Sequence, residues 1–214
     1  MWLAGTEARL LEVFLSRHGW STCRCGKLLH AESELTESDV LPSLVRWLAR
    51  KGGGRLWRPH HVAIYLSSAL CRPFLLPELP PLSKTEQLLA IAAAAKKRTG
   101  FSEDLHVWLS PRLEGEEPES GSHQLGAAMP ANLLRSIVGS IKRARGLRLA
   151  SVQPVWSLAL RVAHMGDEAD GGTPDMLLVR DSDSVTILAS TFGGAKDGAA
   201  NGGCGFAAAL TVEA

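Results

Sequence analysis

One tyrosine among 214 residues, four cysteines and a formal charge of only +1 are the scarcities that narrow this sequence first. Its 23 basic and 22 acidic residues balance, so nothing calls for a nucleic acid or an anionic membrane as partner. The longest apolar run, residues 88–95, falls far short of the ~20 residues a bilayer-crossing helix needs. The N-terminus lacks a basic region followed by an apolar stretch and small residues, so no signal peptide is expected. Four cysteines without framework spacing point to a reducing compartment, the cytoplasm. There is no P-loop, no G-x-S-x-G, no H-E-x-x-H and no G-x-G-x-x-G.

What is present is a regular alternation of strands and helices. Residues 9–15 and 20–28 read as strands flanking Ser16-Arg17-His18-Gly19, a hairpin loop. Asp39 is the expected cap of a helix whose Val40, Leu41, Leu44, Val45 and Leu48 share helical spacing. Residues 61–66 form a short β-branched run, a buried strand.

A second order follows: strand 70–76, helix 84–98 with a Ser83/Glu86 capping box, strand 105–110, strand 124–129, helix from Pro130, strand 147–152. That is the βαββαβ order of a ferredoxin-like unit, with its own four-stranded sheet. Pro73 demotes the first of these strands to a sheet edge or a bulge. A helix over 154–165 and a hairpin across Asp181-Ser182-Asp183-Ser184 come next. Residues 193–214 are Gly/Ala-rich and are expected to be disordered.

Other candidate chemistry is thin. Cys23 and Cys25 fall on one face of a strand with His30 nearby, but zinc wants four ligands and no second pair is present. His60 and His61 are strand neighbours and face opposite ways. The basic clusters 96–98 and 142–145 sit at helix C-termini, where they complement the dipole. No metal or other cofactor is expected.

The wording Val62-Ala63-Ile64-Tyr65-Leu66-Ser67 before an insert, residues 127–134 opening a helix, and Gly146-Leu147 through Val152-Gln153-Pro154 closing the insert carry a resemblance. Together with the order of elements, the chain resembles the actin-like (ribonuclease H-like) fold, and within it the pilus-assembly protein PilM and the cytoplasmic domain of the secretion component GspL. The resemblance covers residues 2–190. It implies a mixed α/β fold: residues 1–69 open an actin-like lobe, 70–153 form the insert, 154–192 return to the lobe, and 193–214 are a tail. It also implies a truncated form, since the adenosine-binding half of such a fold would lie beyond residue 214.

Such proteins bind ATP on glycine-rich hairpin turns, with an acid for magnesium. By the resemblance Gly5 and Thr6 are the vestige of the first turn, Leu3 stands where its acid would be, and the second turn at 181–184 has no glycine. The resemblance therefore implies a scaffold without ATPase activity. Its partners would be the cytoplasmic tail of an inner-membrane protein and the secretion or pilus ATPase, and its attachment to the inner membrane would be through them. The edge strand is the expected partner surface, through Leu70, Arg72, Phe74 and Leu76. The alternatives are a degenerate sugar-kinase-like nucleotide binder and a bare ferredoxin-like binding module. Thermal unfolding separates them: Mg-ATP at millimolar concentration should leave the midpoint unmoved, whereas a rise abolished by Gly5→Val would establish nucleotide binding.

Overall fold

The computed structural model describes residues 10–52, 60–110, 123–144, 146–166, 176–192 and 204–213. Gly5, Thr6 and the start of the opening segment lie outside the described residues.

The architecture is built around one strand. In β4 (His60–Leu66) every side chain from Val62 to Leu66 is buried, so both faces must be covered and both edges paired. Its edges are taken by β1 (Leu10–Leu15) and β8 (Leu147–Pro154), each running parallel to it. The alternation of β1 buries Leu11, Val13 and Leu15 on one face. β2 (Trp20–Arg24) and β3 (Lys27–Glu32) continue antiparallel outward, giving a five-stranded sheet of order β3-β2-β1-β4-β8. Helix α1 (Glu37–Gly52) supplies the crossover from β3 to β4 and buries Val40, Leu44 and Leu48, one residue per turn. It begins two residues before Asp39. The Thr36 hydroxyl, just ahead of it, donates to Asp39 Oδ2 at 2.5 Å, which fastens the first turn.

The expected strand over 20–28 is broken. Cys25 and Gly26 both have positive φ (48° and 71°), the signature of a two-residue hairpin turn, and β2 ends at Arg24. Cys25 therefore sits in a turn rather than beside Cys23 on a strand face.

The insert differs from the four-stranded unit expected of it. Its sheet has three antiparallel strands, ordered β5-β7-β6: β5 (Arg72–Leu76), β6 (Leu105–Leu109) and β7 (Gln124–Pro130). The fourth strand, β8, is in the main sheet. As an outer strand β4 would leave unpaired amides beside buried side chains, and β8 removes that penalty. Residues 70–153 are thus not a self-contained sheet, and the reading as a bare ferredoxin-like module loses its basis. The insert's helices fit the expectation: α2 (Lys84–Thr99) carries the full Ser83/Glu86 capping box, and Gly100 ends it at φ 73° with its N–H on Lys96 O. Helix α3 (Ala131–Arg143) follows Pro130 and sends Ile137 and Ile141 into the main core.

After α4 (Val155–Gly166) the chain forms β9 (Met176–Arg180) and β10 (Ser184–Phe192), the expected second hairpin. Residues 204–213, expected to be disordered, are strand β11 (Cys204–Glu213), antiparallel to β10 and lying next to β5. Composition misled here. The Gly-rich part ends before an apolar run, residues 206–210, followed by Thr211 and Val212, and β10 offers that run a ladder.

Within the insert, Gly126 faces Phe74 across the β5–β7 ladder, and a Cβ there would lie 2.6 Å from the Phe74 ring. Gly126→Ala should destabilise the protein by about 1–3 kcal/mol in chemical denaturation, through displacement of this fully buried ring.

Candidate functional site

Three polar segments meet at strand ends. The first is the β1–β2 turn, where the Ser16 N–H and hydroxyl both donate to Gly19 O, at 2.9 and 3.0 Å. Any side chain at Gly19 would overlap the Glu32 carbonyl oxygen, so this close approach requires glycine. The second is the end of β4. There Ser67 N–H donates to Leu15 O at 2.8 Å, and Ser67 O accepts from Leu70 and Cys71 as the chain turns into the insert. The third is the β9–β10 turn, closed by Asp181 N–H to Ser184 O at 3.0 Å and by the Ser184 hydroxyl to Asp181 Oδ1 at 2.6 Å.

Their junction is made by two carboxylates. Asp183 Oδ2 accepts from Arg17 N–H at 2.8 Å and from the Ser67 hydroxyl at 3.2 Å. Asp181 Oδ2 accepts from Ser68 N–H at 2.9 Å. Such charge-assisted bonds to main-chain amides are among the stronger polar contacts a fold can make. Burial raises the Asp183 carboxyl above the ordinary carboxylate range. The Arg17 N–H and the Ser67 hydroxyl pull the other way, and Asp181 adds to the rise.

A cleft of about 310 Å³ opens beside this junction, between the main sheet and the insert. Its apolar lining includes Val40 and Leu41 of α1, Leu70, Phe101 and Leu133 of α3. Arg17, Glu37, Glu103 and Asn132 supply the polar part. The Arg17 guanidinium reaches Ala69 O at 3.5 Å, so one residue serves both places: its amide at the carboxylates, its side chain at the cleft. Arg72 props the far wall. Its guanidinium donates to Thr99 O at 2.6 Å and lies 4.9 Å from the Phe101 ring centre.

Of the residues expected on the partner-binding edge, Leu70 borders the cleft, and Arg72 is held by Thr99 and Phe101. Phe74 and Leu76 are buried in the insert's core and offer no side chain to a partner. β11 lies next to β5 without being laddered to it. His30 stacks on Trp47 at 5.6 Å and packs against Trp20, apart from any metal-type grouping among the described residues. The Cys71 thiol is buried, which raises its pKa and keeps it protonated.

Sequence reasoning named the turns that hold Arg17 and Asp183 and a strand phrase ending at Ser67, but it did not join these residues, or Ser68, into one site. Their signal was positional. Each polar group directly follows an apolar strand (residues 15|16, 66|67 and 180|181), and β1 and β4 are parallel neighbours, whose carboxyl ends are where α/β folds place their sites.

No family model matches the chain, and no curated protein sequence does. Among solved structures it is similar to the cytoplasmic domain of EpsL, an inner-membrane component of the type II secretion system of Vibrio cholerae. The likeness has a TM-score of 0.53 at 13% identity and covers 95% of this chain and 71% of that one. A Bacteroides thetaiotaomicron protein of actin-like ATPase fold and unknown function is similar at TM-score 0.53 and 12% identity, over 100% of this chain and 73% of that one. The PilM–PilN type IV pilus biogenesis complex is similar at TM-score 0.54 and 16% identity, over 96% of this chain and 62% of the matched one. Against that last chain, this one spans less than two thirds of the length. The fold is therefore mixed α/β and actin-like, as the resemblance implied.

Because the raised Asp183 value means the folded state holds its proton more tightly than the unfolded chain, this group adds stability as pH falls from that value to the ordinary carboxylate range. Measured against Asp183→Asn, the wild-type thermal midpoint should rise over that interval and run parallel to the variant above it. A relative fall would show that the contact favours the ionised form.

Proposed function

We propose that this chain is a non-catalytic assembly protein of a type IV pilus or type II secretion inner-membrane platform. In this reading it holds a short cytoplasmic segment of an inner-membrane protein, and it also contacts the assembly ATPase. The observation that carries the proposal is the cleft between the main sheet and the insert. It combines the apolar side chains of Val40, Leu41, Leu70, Phe101 and Leu133 with Glu37, Glu103, Arg17 and Asn132, the two acids outnumbering the one base. That suits an extended peptide with apolar anchors and a basic residue better than it suits a polar metabolite.

Two of the structural likenesses fit such a role. EpsL is described as an inner-membrane component of a secretion system, and PilM is known in complex with PilN. No helix among the described residues is long and apolar enough to cross a membrane, so attachment through partners is part of the proposal. The lack of ATPase activity is part of it too. The second turn, Asp181-Ser182-Asp183-Ser184, carries side chains at every position where a phosphate turn would favour glycine.

Fluorescence anisotropy with tail peptides of PilN-type inner-membrane proteins tests the reading. Binding should be in the micromolar range, as expected for a small interface. Leu133→Glu, on the apolar lining, should weaken it at least about tenfold, roughly 1.4 kcal/mol. Glu103→Lys should weaken the peptides that carry a basic residue. Peptides that fail to bind, or that bind both variants as they bind wild type, would remove the cleft from the proposal.

A further inference from the structure

The outermost strand of the main sheet is β3, and among the described residues no strand is laddered to its outer edge. Its residues from Lys27 to Ala31 are exposed, Leu28 and Leu29 at 65% and 49%. Edge strands are normally guarded by proline, by a covering segment or by charges along their length. β3 instead keeps two leucines in the open and carries opposite charges at its two ends, Lys27 and Glu32.

We infer that β3 is a self-association surface, on which a second copy of this chain lays its own β3 antiparallel and joins the two main sheets edge to edge. Register, main chain and charge all select a second copy. β3 meets β2 through the pairs Arg24–Lys27, Thr22–His30 and Trp20–Glu32, and a bulge passes over Leu29. Trp20, Thr22 and Arg24 alternate along β2, so Lys27, His30 and Glu32 share one face of the sheet. It is the face of α1, where His30 stacks on Trp47 and Glu32 accepts from the Ser43 hydroxyl. The Arg24–Lys27 pair closes the two-residue turn, so the main-chain groups of Leu28, and beyond the bulge those of Ala31, point to the open edge.

A copy related by a two-fold axis between Leu29 and His30 sets Leu28 opposite Ala31, so outward amides meet outward carbonyls. The same operation sets Lys27 opposite Glu32 on one sheet face, and does so twice. Ser43 already holds the Glu32 side chain in place on that face. A foreign apolar strand would satisfy the edge but would not gain both charge pairs by symmetry. β3 contributes nothing to the cleft lining, so this association is independent of the assembly role.

Sedimentation equilibrium of the full-length chain over a micromolar concentration series tests it. Wild type should show a reversible monomer–dimer equilibrium. Lys27→Glu puts like charges together at both ends and should weaken dimerisation by at least about tenfold. Glu32→Lys should do the same by itself. An equimolar mixture of the two variants should form a heterodimer, because every 27–32 contact then joins opposite charges. Wild type that stays monomeric across the series, or Lys27→Glu dimers as firm as the wild-type ones, would overturn the assignment. Folded single variants that do not associate when mixed would overturn it too. Glu32→Lys also removes the Ser43 contact. Should it not fold, Leu28→Glu on the exposed edge takes its place and should abolish the dimer, and a folded Leu28→Glu protein that still dimerises overturns the assignment equally.

Discussion

The constraint on which this structure turns is the burial of β4 on both faces. A strand with Val62, Ile64 and Leu66 fully enclosed and Ala63 and Tyr65 nearly so has no solvent to satisfy its amides, so both edges must be laddered. β1 meets the first need and β8 the second. From this follow the parallel core of the sheet, the crossover by α1, and the long excursion between β4 and β8 that forms the insert. It also follows that β4 ends beside β1, which brings Ser67 and Ser68 to the β1–β2 turn.

At that shared end the two candidate sites become one piece of structure. Arg17 gives its amide to Asp183 and its guanidinium to the cleft, and Ala69 and Leu70 continue directly from the serines into the cleft wall. Both connections start in tight backbone: the β1–β2 turn approaches Glu32 so closely that only glycine fits at position 19, and Ser67 closes the end of β4.

Much of the fold was legible because it is written in local periodicity. Hydrophobic spacing along α1 and α3, the Ser83/Glu86 capping box and the alternation of β1 all arise from residues a few positions apart. The misreadings share one cause. β8 alternates like any half-buried strand, and nothing within its eight residues says which sheet it joins. The C-terminal strand follows a glycine-rich stretch whose composition conceals it, and its order depends on pairing with β10. Phe74 and Leu76 read as an edge because Pro73 is beside them, while their burial is set by α2 packing over the insert's sheet, together with the side chains of β6 within that sheet.

The sequence by itself determined the elements and the kind of fold: strand, hairpin, helix and strand, an insert, and a second hairpin, in the order that resembles an actin-like lobe. Those properties rest on short-range steric and hydrogen-bonding preferences, which a single chain displays along its length. Only the tertiary structure decided the site. Arg17, Ser67 and Asp183 are ordinary polar residues near strand ends until the ladders of β4 and the packing of the β9–β10 hairpin bring them within hydrogen-bond distance. That convergence is a contact between segments separated by 113 to 166 positions, and such contacts leave no local periodicity in the sequence.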